Sequence, residues 1–255
     1  MPRPLILVSN DDGISANGVN ELVDVLVKYG DVVTVCPDSP RSGQSMAITV
    51  NSPLRIECLD DRNGAKMYKV NGTPVDCVKL AIHAVLRRMP DLVVSGINHG
   101  SNAAVNVVYS GTMGAAFEGC AMGIPSIAFS LTSHDSHSDM KRCMPFVDKL
   151  VSGVLSNGLP EGVCLNVNIP AKGEAPTEMR LTKGAKGRWT DEYQEYTDPN
   201  GKKFWWLTGK FENAEPDNKD TDEWCLANGI VSVVPVLLDR TDTDLSRFQW
   251  ISQVS

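Results

Sequence analysis

Short apolar runs alternate along the chain with stretches whose apolar residues recur at helical spacing. Leu5–Ser9, Val163–Ile169 and residues 31–36, 91–95 and 125–131 are brief and mainly apolar, as strands buried on both faces are. Between them, Val19, Leu22, Val23 and Leu26 line one face of a helix predicted over residues 18–29. Thr73-Pro74-Val75-Asp76 opens a second helix, with Thr as cap, Pro in the first turn and an acid beside it; the pattern carries it to Arg88. A small-residue helix follows over 112–122 and another over 139–155, while 46–50, 54–58 and 67–70 read as further strands. Strands alternating with helices predict an α/β protein, a three-layer, Rossmann-like, doubly wound and mostly parallel sheet.

After Pro170 the pattern changes. Residues 193–197 and 204–207 flank Asp198-Pro199-Asn200-Gly201, a hairpin turn; 212–223 is acidic and loop-like, and 229–238 is an apolar strand. The expected organisation is a catalytic core over 1–172, then a protruding hairpin arm, a returning strand and a tail over 173–255, in one domain overall. Trp189, Trp205 and Trp206 fall on or near the arm. They either form a partner surface, with another copy of the chain as the natural partner, or fold back on their own domain.

Composition narrows the function classes. A formal net charge of −7 over 255 residues disfavours nucleic acid polymers and anionic membranes as partners. No apolar run approaches a membrane span, and the four apolar residues Leu5 to Val8 are too few for a signal-peptide core. Seven scattered cysteines without a C-x-x-C pair fit a reducing compartment, the cytoplasm, and disfavour a zinc ribbon or disulfide framework. An acidic protein that binds phosphate needs a local positive charge, from a cation or from helix N-termini.

Polar residues collect where such a site would lie. In an open parallel sheet, ligands sit beyond the carboxyl ends of the strands. Three predicted strand ends carry polar loops: Asn10-Asp11-Asp12-Gly13, Asp38 to Ser45, and Ser95 to Asn102. Two adjacent carboxylates on a shared rim repel one another, and a cation relieves that repulsion. Asp11, Asp12, Ser42 and Asn98 form a hard oxygen set, suited to one Mg²⁺, Mn²⁺ or Ca²⁺ rather than zinc. Asp11, Asp12 and Asn98 are also the catalytic candidates, since a carboxylate there can orient water or take its proton. The duller reading of Asp-Asp-Gly is a turn with Asx bonds to its own backbone. Ser110, Gly111 and Thr112 open a helix whose free N–H groups suit a phosphate, or simply cap it. Arg41 either neutralises phosphate or pairs with Asp38; Asn10, Gly43 and Ser45 complete the candidate phosphate neighbourhood. No P-loop, G-x-G-x-x-G or G-x-S-x-G motif occurs. Glu118 is expected to face out from its helix.

Five ordered motifs resemble the SurE survival-protein family: Ser9 to Gly13, Arg41 to Ser45, Gly72 to Cys77, Ser95 to Asn102 and Tyr109 to Gly119. Asp220 to Asp222 and Gly229 to Pro235 match as well. The resemblance implies a Rossmann-like core and a divalent-metal-dependent 5'/3'-nucleotidase acting on nucleoside monophosphates, with side activity on short polyphosphate. It implies homodimers or homotetramers built through a hairpin arm and an exchanged C-terminal segment. It also implies Asp11, Asp12, Ser42 and Asn98 as metal ligands and Asn102, Ser110, Gly111 and Thr112 as the phosphate neighbourhood. A non-catalytic nucleotide-binding protein and a phosphatase whose main substrate is not a nucleotide remain the alternatives.

Overall fold

The computed structural model describes residues 3–135 and 137–253. A sheet of nine strands crosses the molecule. In chain order its members are β1 (Leu5–Ser9), β2 (Asp31–Pro37), β3 (Ile56–Cys58), β4 (Lys66–Val70), β5 (Leu92–His99), β6 (Ser126–Leu131), β7 (Val163–Ile169), β8 (Met179–Leu181) and, after the arm, β13 (Val231–Leu237). The spatial order is β3-β4-β2-β1-β5-β6-β7-β13-β8. All neighbours pair in parallel except β3 with β4 and β13 with β7. The chain moves from β1 outward to β2 and β4, then returns to lay β5 on the other side of β1. The strand order therefore reverses between β1 and β5, where open α/β sheets leave a crevice.

Alternation along each strand builds the two faces. Ile6 and Val8 of β1, Leu92 and Val94 of β5, and Leu165, Val167 and Ile169 of β7 pack under α1 (Asn17–Leu26) and α4 (Met144–Asn157). Leu7 and Val93 point the other way, toward α2 (Pro74–Leu80) and α3 (Gly111–Ala121). Burial on both faces explains why these strands read as nearly continuous apolar runs.

The expected elements formed with four corrections. The segment 46–50 is no strand: Thr49 bonds through its N–H and hydroxyl to Asp76 at 3.0 and 2.6 Å, and Ser45 N–H to the Tyr109 carbonyl at 3.0 Å. Its backbone is spent on loops, and β3 occupies the free edge of β4 instead. The second helix stops short of Arg88. After α2 a π turn runs over Ala81–Val85, and Leu86 turns extended to pack on the core. The helix predicted over 139–155 begins as a 3₁₀ turn, Met140–Cys143, before α4. The acidic stretch 212–223 is not all loop, because Thr221 caps a short helix, α5 (Asp222–Ala227), and Glu212 belongs to β12 (Lys210–Asn213).

The arm rises from a ribbon in which β12 pairs with β9 (Gly187–Thr190). Its tip is the hairpin of β10 (Tyr193–Thr197) and β11 (Lys203–Leu207), every residue of which is exposed. Asp198 Oδ1 accepts from the N–H groups of Asn200 and Lys202 at 2.8 and 2.9 Å, and Gly201 takes φ +79°, which closes the turn. The three tryptophans differ in setting. Trp189 packs on its own chain, edge-on to Phe211 and donating to Asn106 Oδ1 at 2.8 Å. Trp205 and Trp206 stay 58% and 66% exposed.

Candidate functional site

The crevice at the β1/β5 reversal carries the polar loops. The Asn10 amide closes its own turn, donating to the Gly13 carbonyl at 2.9 Å and accepting from Gly13 N–H at 3.2 Å. Gly13 sits at φ +92°, a left-handed conformation that favours glycine. This turn sends Asp11 and Asp12 to opposite partners. Asp11 is buried, and one of its carboxylate oxygens accepts the hydroxyl of Thr112. Asp12 Oδ2 accepts both the backbone N–H and ring Nδ1 of His99, each at 3.0 Å.

Those contacts bring the loops together. Arg41 N–H donates to the Asp11 carbonyl at 2.7 Å, so the loop after β2 lies against the first aspartate. Ser45 pins its far end, donating through its hydroxyl to the Val108 carbonyl at 2.6 Å. Ser42 and Gly43 form the exposed turn between these pins, with Gly43 at φ +75°. The Arg41 guanidinium pairs with Asp38 at 3.2 Å, the structural alternative for that residue. On β5 the register shifts between Ser95 and Asn98, beside a cis Gly96–Ile97 peptide. Asn98 is 8% exposed and donates its amide nitrogen to the Gly100 carbonyl at 2.8 Å, a bond that does not use its side-chain oxygen.

The third wall is the start of α3. Ser110 is its cap, accepting from Met113 N–H at 3.0 Å. At Gly111 a Cβ would stand 2.8 Å from Asp11 Cβ and 3.0 Å from its Oδ2, so only glycine lets the helix come this close. The positive end of α3 and its free N–H groups then abut a buried carboxylate.

Electrostatics fit a cation here. Burial pushes the Asp11 carboxyl up to about 6; the Thr112 hydroxyl pulls it down, and the neighbouring Asp12 charge pushes it up again. A desolvated carboxylate beside a second one, among amide and hydroxyl oxygens, is a donor set for a hard divalent ion. A cleft of about 520 Å³ opens next to it, lined among others by Asp12, Ser39, Pro40, His99 and His134. A larger cavity of about 690 Å³ lies between Lys172–Thr177 and the end of α5, and none of the candidate residues lines it. Convergent polar groups, not volume, mark the site.

Asn102, 6% exposed, is held on three sides: its N–H by Asn168 Oδ1 at 2.8 Å, its carbonyl by Asn166 Nδ2 at 2.8 Å, and its own Nδ2 by Ser130 Oγ at 2.8 Å. Sequence reasoning missed Asn166 and Asn168, and also the hold of His99 on Asp12. The signal for the first was two asparagines, two residues apart, inside an otherwise apolar strand. Glu118 does not face out: it is 5% exposed and paired with Lys79 at 2.8 Å. Small neighbours on α3 bring that helix tightly onto the sheet and α2, which encloses its whole circumference.

Comparison with known proteins points to one family. The family model for survival protein SurE matches residues 6–191. The 5'-nucleotidase SurE of Cytophaga hutchinsonii is 49% identical over 243 residues, covering 94% of this chain and 93% of that protein. The 5'-nucleotidase SurE of Bacteroides fragilis is 48% identical over 239 residues, covering 94% and 93%. The crystal structure of the SurE protein from Aquifex aeolicus superposes with a TM-score of 0.84 at 35% identity, over 98% of this chain and 100% of that one. A near-full-length match in sequence and fold makes this chain a member of the SurE family.

Proposed function

We propose that the chain is a divalent-metal-dependent phosphomonoesterase that hydrolyses nucleoside 5'- and 3'-monophosphates to nucleoside and phosphate. The observation that carries this reading is the meeting of a buried Asp11, an oriented Asp12, Asn98 and the N-terminus of α3 at the β1/β5 crevice. Near-full-length similarity to proteins named 5'-nucleotidase supports the same class.

Asp11, Asp12, Ser42 and Asn98 hold one ion per subunit, Mg²⁺ or Mn²⁺. Such an ion, when bound, polarises the phosphoryl group and acidifies an incoming water. The chain's own groups do the rest. The N–H groups at Gly111 and Thr112, the Ser110 hydroxyl and Asn102 seat the phosphate oxygens, and Arg41 and Gly43 close the outer side. A carboxylate oxygen at Asp12, fixed by His99, orients the water and accepts its proton. The water oxygen bonds to phosphorus as the ester bond breaks, the departing nucleoside oxygen takes up a proton from solvent, and Asp12 returns its proton to solvent. The adjoining cleft, within the roughly 300–1,000 Å³ usual for small-molecule sites, admits the nucleoside. Short polyphosphate, with the same terminal group, is a side substrate.

Residues 1–172 supply catalysis, and 173–255 supply the arm and tail of a homodimer or homotetramer; the bare aromatic hairpin supports that division. Unpaired cysteines, all but Cys58 buried, suit the cytoplasm. The test is a phosphate-release panel over AMP, 3'-AMP, GMP and short polyphosphate with Mg²⁺, Mn²⁺ and chelator. Release from nucleotides that stops on chelation is expected. Nucleotide binding without release under every metal would sink the reading.

A further inference from the structure

Polar residues in the middle of a parallel sheet call for a reason, because each must find partners to offset its desolvation. On the face of β7 toward α3, Cys164 packs in an apolar cluster with Ala128 of β6 and Met113, Ala116 and Phe117 of α3. Two and four residues on, the same face carries Asn166 and Asn168, 2% and 0% exposed. β6 changes in step, from Ala128 to Ser130, and Ser130 pairs in register with Asn168. Ser232 of β13 stands opposite Asn168 on the other side. The sheet thus turns polar as it nears the carboxyl ends of its strands, under the start of α3.

This polar row converges on one residue. Asn168 Oδ1 accepts the Asn102 N–H, Asn166 Nδ2 donates to the Asn102 carbonyl, and Ser130 Oγ accepts from Asn102 Nδ2. Asn168 Nδ2 in turn donates to Asn166 Oδ1 at 3.0 Å, which fixes the orientation of both amides. Asn102 thereby loses its freedom in backbone and side chain alike. One N–H of its Nδ2 is taken by Ser130, and the second remains to donate. Ser232 takes no part, since its hydroxyl meets Thr182 at 2.8 Å.

We propose that Asn166 and Asn168 are positioning residues for phosphate binding, acting through Asn102 and not on the metal ligands. This rests on reading Asn102 and the start of α3 as the phosphate seat. Preorganised donors cost no reordering when the anion arrives, so loosening Asn102 weakens the hold on phosphate.

The experiment measures inhibition by inorganic phosphate, KM for AMP and Mn²⁺ affinity by titration calorimetry. In Asn168→Ala the inhibition constant and KM rise roughly ten-fold, as for loss of a buried orienting hydrogen bond, while Mn²⁺ affinity holds. Asn166→Ser, which keeps a small polar group in the row, carries the same expectation and serves if Asn168→Ala does not fold. Ser232→Ala, in the row but outside the network, leaves all three values as they are. The double variant Asn102→Ala with Asn168→Ala binds phosphate no more weakly than Asn102→Ala alone, since the two act as one unit. A phosphate constant within about two-fold of the parent in folded Asn168→Ala or Asn166→Ser, or full additivity in the double variant, overturns the proposal. So does an equal loss of Mn²⁺ affinity, which would mark general loosening. An unchanged phosphate constant in Asn102→Ala would remove the seat itself, a failure separable from the others.

Discussion

Thr112, in the first turn of α3, donates its hydroxyl to the carboxylate of Asp11 in the turn after β1, joining groups 101 residues apart in the chain. The bond favours the ionised carboxylate, but burial opposes it more strongly and holds Asp11 near 6. The site without metal therefore stores an electrostatic cost that a cation relieves.

A pH signature follows from the sign of that shift. Asp11 ionises near 3.8 in the unfolded chain and at about 6 in the fold. An acid whose folded value is raised costs nothing below the unfolded value and progressively more as pH climbs to the folded one. The metal-free protein should lose on the order of 3 kcal/mol between about pH 4 and about pH 6 on this account. Cation and proton compete for the same oxygens, so Mn²⁺ affinity should rise about ten-fold per pH unit up to about 6 and then level off. Thermal melts with and without Mn²⁺ check this. An equal metal-induced rise in Tm at about pH 5 and about pH 7.5 would contradict it.

Asp11→Asn separates stability from chemistry. The amide keeps the shape without the buried charge, so the metal-free variant should melt higher than the parent at neutral pH. Its metal affinity should fall together with its turnover. A lower melting temperature, or unimpaired metal binding, would argue against the raised carboxyl.

Asp12→Asn is expected to cut kcat by at least about a hundred-fold with little change in melting temperature. Asp12 is the aspartate oriented toward the cleft and held by His99. Steady-state kinetics beside circular dichroism decides the matter; near-normal kcat in a folded variant removes Asp12 from the mechanism.

Gly111→Ala tests the close approach of α3. The added methyl would meet Asp11 Cβ at 2.8 Å, so either the helix start or the carboxylate must shift. Phosphate and metal affinity should each weaken by roughly ten-fold or more, since displacement of about 1 Å is costly at a preorganised site. The cavity-free comparison is Gly153→Ala on α4, where a methyl meets nothing within 4 Å and both affinities should stay unchanged.

Trp205→Ser combined with Trp206→Ser addresses the arm. Both rings lie bare on a hairpin that projects from the core, so the variant should lose the proposed assembly, read as a smaller mass than the parent's in light scattering. An unchanged mass would argue against the hairpin as a surface between copies.

Much of the core was legible in the sequence because burial on both faces leaves a strand little choice of residue. The run Leu5–Ser9 begins and ends where its apolar pattern does, and the expected Thr73 cap with Asp76 in the first turn forms, closed in the structure as a capping box. Hairpin chemistry at Asp198 to Gly201 was equally local, because a left-handed glycine and an Asx bond are properties of neighbouring residues.

Tertiary structure decided what depends on residues far apart. The segment 46–50 has strand-like composition, yet Asp76 claims the Thr49 N–H and the Ser45 N–H just before it goes to the Tyr109 carbonyl, a competition invisible along the chain. Glu118 looks like a solvent-facing acid until Lys79 on α2 meets it in a crowded layer. The candidate site divides the same way. Residue types and motif order marked Asp11, Asp12, Ser42 and Asn98, because hard-ion chemistry restricts the donors. Only the fold sets His99 on Asp12, burial on Asp11, and Asn166 and Asn168 around Asn102, since desolvation and hydrogen-bond orientation arise from distances between strands that sequence spacing does not encode.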